Sequence, residues 1–271
     1  MGSDKNRYVQ LIERIFMTKH KKGTKEVSFE RQDIIQTAHQ LGIQLPKNIG
    51  DVIYSFRYRS ALPASIRKKA PEGLEWVIRP SGKAQYKFAL TTLARIIPTS
   101  MLGETKIPDS TPGIITKYAI DDEQGLLAKI RYNRLIDIFT GVTCYSLQNH
   151  LRTTVPTMGQ VETDEVYVGI DQRGVQYVFP IQAKGGSDQL GIVQIEQDFT
   201  MCVAKFPDLL CKPIAAQFME NDLIALFAFE ENEAGVAIGM EKHYRLVPPE
   251  EIKEEDLAQY RSRCFEIHIQ T

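Results

Sequence analysis

Residues 160–186, QVETDEVYVGIDQRGVQYVFPIQAKGG, constrain the fold more than any other stretch of the chain. Val161–Ile170 reads as a strand, Asp171–Gly174 as a turn and Val175–Lys184 as a second strand. Side chains alternate along a strand, and a turn centred on Arg173 sets Asp164 opposite Gln182 and Glu162 opposite Lys184. Opposed residues of an antiparallel pair point to the same side. Glu162, Asp164, Gln182 and Lys184 are therefore expected on one side of a sheet, with Glu165 on the other unless a bulge shifts the register. The second strand is otherwise apolar (Val178, Phe179, Ile181), so an amide and a lysine at its end, followed by Gly185-Gly186, are poor choices for packing alone. Metal-assisted phosphodiester cleavage needs such a set. A carboxylate and a second oxygen donor hold Mg²⁺, the ion activates a water, and a lysine ammonium orients the nucleophile or stabilises the developing charge.

The chain has 271 residues, enough for one large domain or two smaller ones, with 43% hydrophobic and 25% charged residues. No apolar run approaches transmembrane length, and MGSDKNRYVQ lacks a signal-peptide stretch, so a cytoplasmic protein with no membrane partner is expected. Cys144, Cys202, Cys211 and Cys264 form no CxxC pair, and no HExxH, P-loop or GxGxxG motif is present.

Charge is unevenly spread. Residues 1–100 carry 18 Lys and Arg against 8 Asp and Glu, or +10, and the remainder carries 15 against 26, or −11. This suggests two domains, the first facing a polyanion. The alternative is a basic domain that docks on the acidic remainder.

The first hundred residues read as a helix at Asp4–His20, a helix capped by Ser28 and stopped at Gly42, and a helix from Pro46 to about Tyr58. A hairpin follows, LEWVIR and AQYKFAL around Pro-Ser-Gly-Lys. Three helices and a hairpin resemble a winged helix-turn-helix domain over residues 4–95. The resemblance implies that Lys47, Asn48, Ser55, Arg57 and Arg59 lie near double-stranded DNA, with Arg79, Lys83 and Lys87 on the wing. Winged helices also serve as protein-docking modules. Residues 98–118, rich in Pro and Gly, read as a linker between domains at 1–97 and 119–271. A helix is expected over 121–140 with Asp121, Asp122 and Glu123 at its start, then a helical turn from Tyr145. After the hairpin come a helix capped by Ser187-Asp188, strands at CKPIAAQFM, ALFAFEEN and GVAIGMEKHYRLVP, a helix at Glu250–Ser262 and a strand CFEIHI.

The hairpin with its flanking helices resembles the PD-(D/E)XK nuclease superfamily over about residues 121–220, with Asp164 as the first acid and Gln182-Ala183-Lys184 as the (D/E)-X-K tripeptide. Thr163 stands where the family has Pro, and Gln182 resembles the Q-X-K variant of Mrr-like restriction nucleases. The resemblance implies an α/β fold, a mixed-sheet restriction-endonuclease-like core beside the small winged helix-turn-helix domain. It also implies a metal site of Asp164, Gln182 and Glu162 holding Mg²⁺ or Mn²⁺, with Lys184 at the nucleophile. Glu123 on the first helix is a candidate accessory acid, against the simpler reading that it is there to complement the helix dipole. The function expected is a Mg²⁺-dependent DNA endonuclease of restriction (type II) kind, acting as a homodimer because cutting both strands needs two active sites. The rival is a winged-helix DNA-binding regulator with a degenerate nuclease domain, motivated by the glutamine. An RNA-processing nuclease or a protein-docking adaptor stands behind both.

Overall fold

The structure is a computed structural model and describes residues 2–119, 123–156, 158–185, 188, 190–233 and 235–266. It is a mixed α/β protein built on a large mixed sheet of eight strands.

The N-terminal third begins with α1 (Gly2–Lys19), whose Leu11, Ile12, Ile15 and Phe16 are fully buried, as the helical spacing predicts. Ser28 does not cap a helix. It lies in β1 (Glu26–Glu30), paired with Lys87, and α2 (Arg31–Leu41) starts after it. The true cap is a box in which the Asp33 carboxylate accepts from the Glu30 N–H at 2.7 Å. Gly42, at φ 63°, ends α2 as expected. The third helix starts later than Pro46: α3 (Gly50–Tyr54) runs into a π-helical turn, Ser55–Arg59. A short α4 (Ala64–Arg67), unforeseen in the sequence, precedes the hairpin of β2 (Glu75–Pro80) and β3 (Gln85–Thr91). β1 adds to this hairpin, giving a three-stranded antiparallel sheet in the order β1-β3-β2 over a core of Phe16, Phe29, Ile34, Ile53, Ile66, Trp76 and Phe88.

Residues 98–118, read as a linker, are structured in part. The stretch after β3 holds β4 (Arg95–Ile96), then β5 (Glu104–Pro108), which joins the large sheet beside its penultimate strand, and α5 (Gly113–Tyr118). Next are α6 (Glu123–Tyr132) and α7 (Leu135–Thr140), separated by Arg134 in the left-handed region at φ 50°. Asp121 and Asp122 lie outside the described residues. The stretch from Tyr145 is not helical: β6 (Thr143–Val155) is a 13-residue edge strand. Paired with one neighbour only, it keeps mostly exposed side chains, so no apolar period marks it in the sequence. β7 (Gly159–Ile170) and β8 (Gln176–Lys184) form the expected hairpin.

Beyond it come β9 (Leu190–Gly191), α8 (Ile192–Lys205), β10 (Leu210–Cys211), β11 (Ile214–Phe218), β12 (Leu223–Asn232) and β13 (Gly235–Val247), and α9 (Glu254–Glu266) closes the described chain. Ser187 lies outside the described residues, and the cap of α8 is Gly191 rather than Asp188. Residues 264–266, read as the start of a strand, belong to α9.

The large sheet runs β5-β13-β12-β11-β8-β7-β6, with β10 also against β8. β8 lies parallel to β11 and antiparallel to β7, and both its faces are covered. Tyr177, Phe179, Ile181 and Ala183 face α6 and α7, where Leu126, Leu127, Ile130, Leu135 and Ile136 are fully buried. Val178 faces α8 with Val166, Met201 and Cys202.

The two halves dock. β4 pairs with β9, and Tyr58 and Val77 pack beside Ile192, Ile195 and Phe227. The Tyr58 hydroxyl donates to Gln197 Oε1 at 2.6 Å, and the Arg79 guanidinium forks onto Glu196 of α8 through Nε at 2.7 Å and Nη2 at 2.5 Å. The basic N-terminal hairpin thus binds the acidic remainder through a bidentate pair. Arg79→Ala is expected to lower stability by about 1–3 kcal/mol, and an Arg79/Glu196 double-mutant cycle should give a coupling of about 0.5–3 kcal/mol. Additive effects in urea unfolding would mean that the fork is not made in solution.

Candidate functional site

The β7–β8 ladder has the register that a turn at Arg173 dictates: Ile170 pairs with Gln176, and the last pair is Glu165 with Ile181. Past that pair the strands splay, and two side-chain bonds replace the missing ladder. The Asp164 carboxylate accepts from the Ala183 N–H at 2.8 Å, and the Gln182 amide donates to the Glu162 carbonyl at 3.1 Å.

Alternation along β7 breaks at the same place. Val161 and Val166 both pack on the α8 side, where Thr163 also bonds, whereas Glu165 faces α6. Asp164 sits at this irregularity. The four expected residues do not all meet. Glu162 turns toward β6 and pairs with Arg152 at 2.5 Å. Gln182, 2% exposed, turns into α8. Asp164 and Lys184 remain together, joined by Glu123 from the first turn of α6, whose carboxylate accepts a hydrogen bond from Lys184 Nζ. Glu165, on the opposite face as expected, is completely buried and held by Arg131 Nε at 3.0 Å and by the Ser146 hydroxyl at 2.5 Å. Arg131 lies two turns along α6 from Glu123, so this clamp fixes the helix that carries the accessory acid.

Burial pushes the Asp164 carboxyl above the usual range, and the neighbouring Glu123 charge adds to this. The Ala183 N–H, Lys184 and His150 oppose it. His150, in the left-handed region at φ 50°, was not visible as a site neighbour in the sequence, because Tyr145–Val155 reads there as a helical start followed by a turn rather than as a strand. Asp198 was missed too. It lies inside α8 with no exposure, accepts from the Thr163 hydroxyl at 2.6 Å, and receives the Gln182 amide at 3.2 Å and 3.0 Å. Burial pushes its carboxyl up to about 7, against those two hydrogen bonds. A charged residue on a buried helix face carries no motif that would have singled it out.

Among the described residues, no group of three or more His, Cys, Asp and Glu side chains is placed to hold a metal. The available set is Asp164 with Glu123. Two carboxylates suit Mg²⁺, which keeps several waters and takes one or two carboxylates plus phosphate oxygens.

The residues expected at DNA divide. Lys47 and Lys83 are exposed. Asn48 is also exposed, but its side chain caps the approach to α3 through Asp51 and the Gly50 N–H. Ser55 bonds Ser60 at 3.2 Å, Lys87 pairs with Glu26 at 2.6 Å, and Arg79 is committed to Glu196. Arg57 stacks over Tyr58 at 4.7 Å, and its buried Nε and Nη2 have no partner among the described residues. The Arg59 side chain lies outside the described residues. Arg67, Lys68 and Lys69, around the unforeseen α4, add three exposed cations.

No family model, curated protein or solved structure matches the chain.

Because the folded state holds the Asp198 proton more tightly than the unfolded chain, the stability that Asp198 contributes is full below the ordinary carboxylate range. It is lost as pH rises through about 7. Denaturant unfolding between about pH 5 and about pH 8 should show wild type losing stability relative to Asp198→Asn as pH rises. Parallel curves would contradict the buried, elevated carboxyl.

Proposed function

We propose that the chain is a Mg²⁺-dependent DNA nuclease whose centre is Asp164, Glu123 and Lys184. The observation that carries this reading is their convergence at the splayed end of β7 and β8, two carboxylates and an ammonium from three separate elements. Support also comes from element order: α6 and α7, then β6, β7 and β8, then α8 and β11, the helix–three strands–helix–strand sequence of the PD-(D/E)XK nucleases. The order α1-β1-α2-α3-α4-β2-β3 with a β1-β3-β2 sheet similarly supports a winged-helix unit.

On this reading Asp164 and Glu123 hold Mg²⁺ or Mn²⁺. When bound, the ion supplies an activated water and neutralises phosphate charge. With Glu123 engaged as a ligand, the Lys184 ammonium would be free of its present partner and could hydrogen-bond the attacking water or a non-bridging phosphate oxygen, where negative charge develops. Attack of that water on phosphorus, with loss of its proton to solvent, would break the bond to the leaving deoxyribose oxygen, which would take up a proton from solvent. The Ala183 N–H, bonded to Asp164, keeps that carboxylate fixed during the step. The excess of cations in residues 1–100, with Lys47, Lys83, Arg67, Lys68 and Lys69 exposed, favours DNA as the polyanion. Cutting both strands calls for two copies of the centre, so a homodimer belongs to the proposal.

A second reading, a DNA-binding regulator with an inactive nuclease-like domain, draws on the direct Lys184–Glu123 pair and on the lack of a third acidic donor among the described residues. Cleavage separates the two. With mixed genomic DNA and Mg²⁺ or Mn²⁺, wild type should nick or cut, and Lys184→Ala should lose at least about a hundredfold in rate with DNA retention unchanged. No cleavage by wild type with either ion would favour the regulator; equal cleavage by Lys184→Ala would remove Lys184 from the chemistry.

A further inference from the structure

Gln182 occupies the position at which the nuclease resemblance places a metal ligand. We propose instead that Gln182, held by Asp198, is a positioning residue that fixes the splayed ends of β7 and β8 and gives no oxygen to the metal. The inference rests on the nuclease reading for its catalytic consequence, but its structural part stands without it.

A glutamine amide offers two N–H donors and one carbonyl oxygen. Both donors of Gln182 are committed to groups that can only accept when Asp198 is ionised: the Asp198 carboxylate, at 3.0 Å and 3.2 Å, and the Glu162 carbonyl at 3.1 Å. Its Oε1 accepts from Gln194 Nε2 at 3.3 Å, and Gln194 in turn accepts from the Gly191 N–H at 3.4 Å at the start of α8. The amide is thus used up inside the protein. A glutamate at 182 would set an acceptor against two acceptors and leave a buried charge unpaired. The amide stands here for its donors, which accounts for a glutamine in place of the usual acid.

The place of these bonds gives them their role. They tie β8 to Glu162 of β7 and to α8 one residue beyond the last ladder pair. On either side of Gln182 in the chain, Ile181 is the last paired residue and Ala183 donates its N–H to Asp164. Lys184 follows directly. Fixing Gln182 therefore fixes the two groups, Ala183 N–H and Lys184, that orient Asp164 and Glu123.

The test uses the full chain, with Mn²⁺ as the probe. Gln182→Glu should melt well below wild type or fail to fold. Gln182→Glu with Asp198→Asn, in which donor and acceptor change places, should recover at least half of that loss and bind Mn²⁺ within about threefold of wild type, since no ligand has been added. Gln182→Met, similar in size but without donors, should keep wild-type Mn²⁺ affinity while cleavage at saturating Mn²⁺ falls about tenfold or more. Two results would overturn the proposal: at least tenfold tighter Mn²⁺ binding in either glutamate variant, or at least tenfold weaker binding in Gln182→Met with its saturated rate intact. If wild type neither binds Mn²⁺ nor cuts DNA, the nuclease reading fails separately. The melting of the exchanged pair then decides alone: recovery upholds the positioning role, and no recovery overturns it.

Discussion

The whole candidate site depends on the β7–β8 ladder stopping at Glu165 and Ile181. A continued ladder would engage the Ala183 N–H with backbone and leave the Asp164 carboxylate on one face of a flat sheet. Instead the strands part, and Asp164 takes that N–H itself. The parting also switches the face that β7 presents, so Thr163 reaches α8 and Glu165 reaches α6. One local irregularity therefore makes three attachments: to the helix in front of the sheet, to the helix behind it, and to the neighbouring strand. A β-bulge-like change of parity commonly re-aims a side chain at a functional position.

The attachments differ in kind. On the α6 side the buried Glu165 carboxylate takes hydrogen bonds from Arg131 and Ser146 on one oxygen. On the α8 side Asp198 has only neutral partners, Thr163 and Gln182, and its carboxyl is held far above the ordinary range. The site thus lies between the Arg131–Glu165 clamp and the Asp198 network. The N-terminal unit reaches the second through Tyr58 and Gln197, the residue before Asp198 on α8. On the proposed reading, the DNA-facing unit and the catalytic centre share a single helix.

Much of this was legible in sequence where periodicity is strong. The β7–β8 hairpin, its register, the β2–β3 hairpin and strands β11 to β13 follow from alternation and turn residues. The edge strand β6 escaped because, with one partner and mostly exposed side chains, it shows no apolar period. Ser28 looked like a helix cap because the Glu30–Asp33 box that does the capping uses acidic groups two residues further on. In the site, Asp164 and Lys184 were readable from their place on the hairpin. Glu162 was misplaced because its cross-strand partner on β6, Arg152, draws its carboxylate away, and β6 was not read as a strand. Asp198 and the commitment of Arg79 to Glu196 are tertiary pairings with no local signature. A basic residue count cannot tell a side chain bound for DNA from one bound to a neighbouring helix.

The central claim is that Asp164 and Glu123 converge to hold a divalent ion beside Lys184. Crystals of the full chain grown with Mn²⁺ and measured for anomalous scattering test it directly. The account predicts a manganese peak bridged by the Asp164 and Glu123 carboxylates, with the Lys184 ammonium moved off Glu123. A well-ordered site with Lys184 still paired to Glu123 and no anomalous peak between the carboxylates would contradict it.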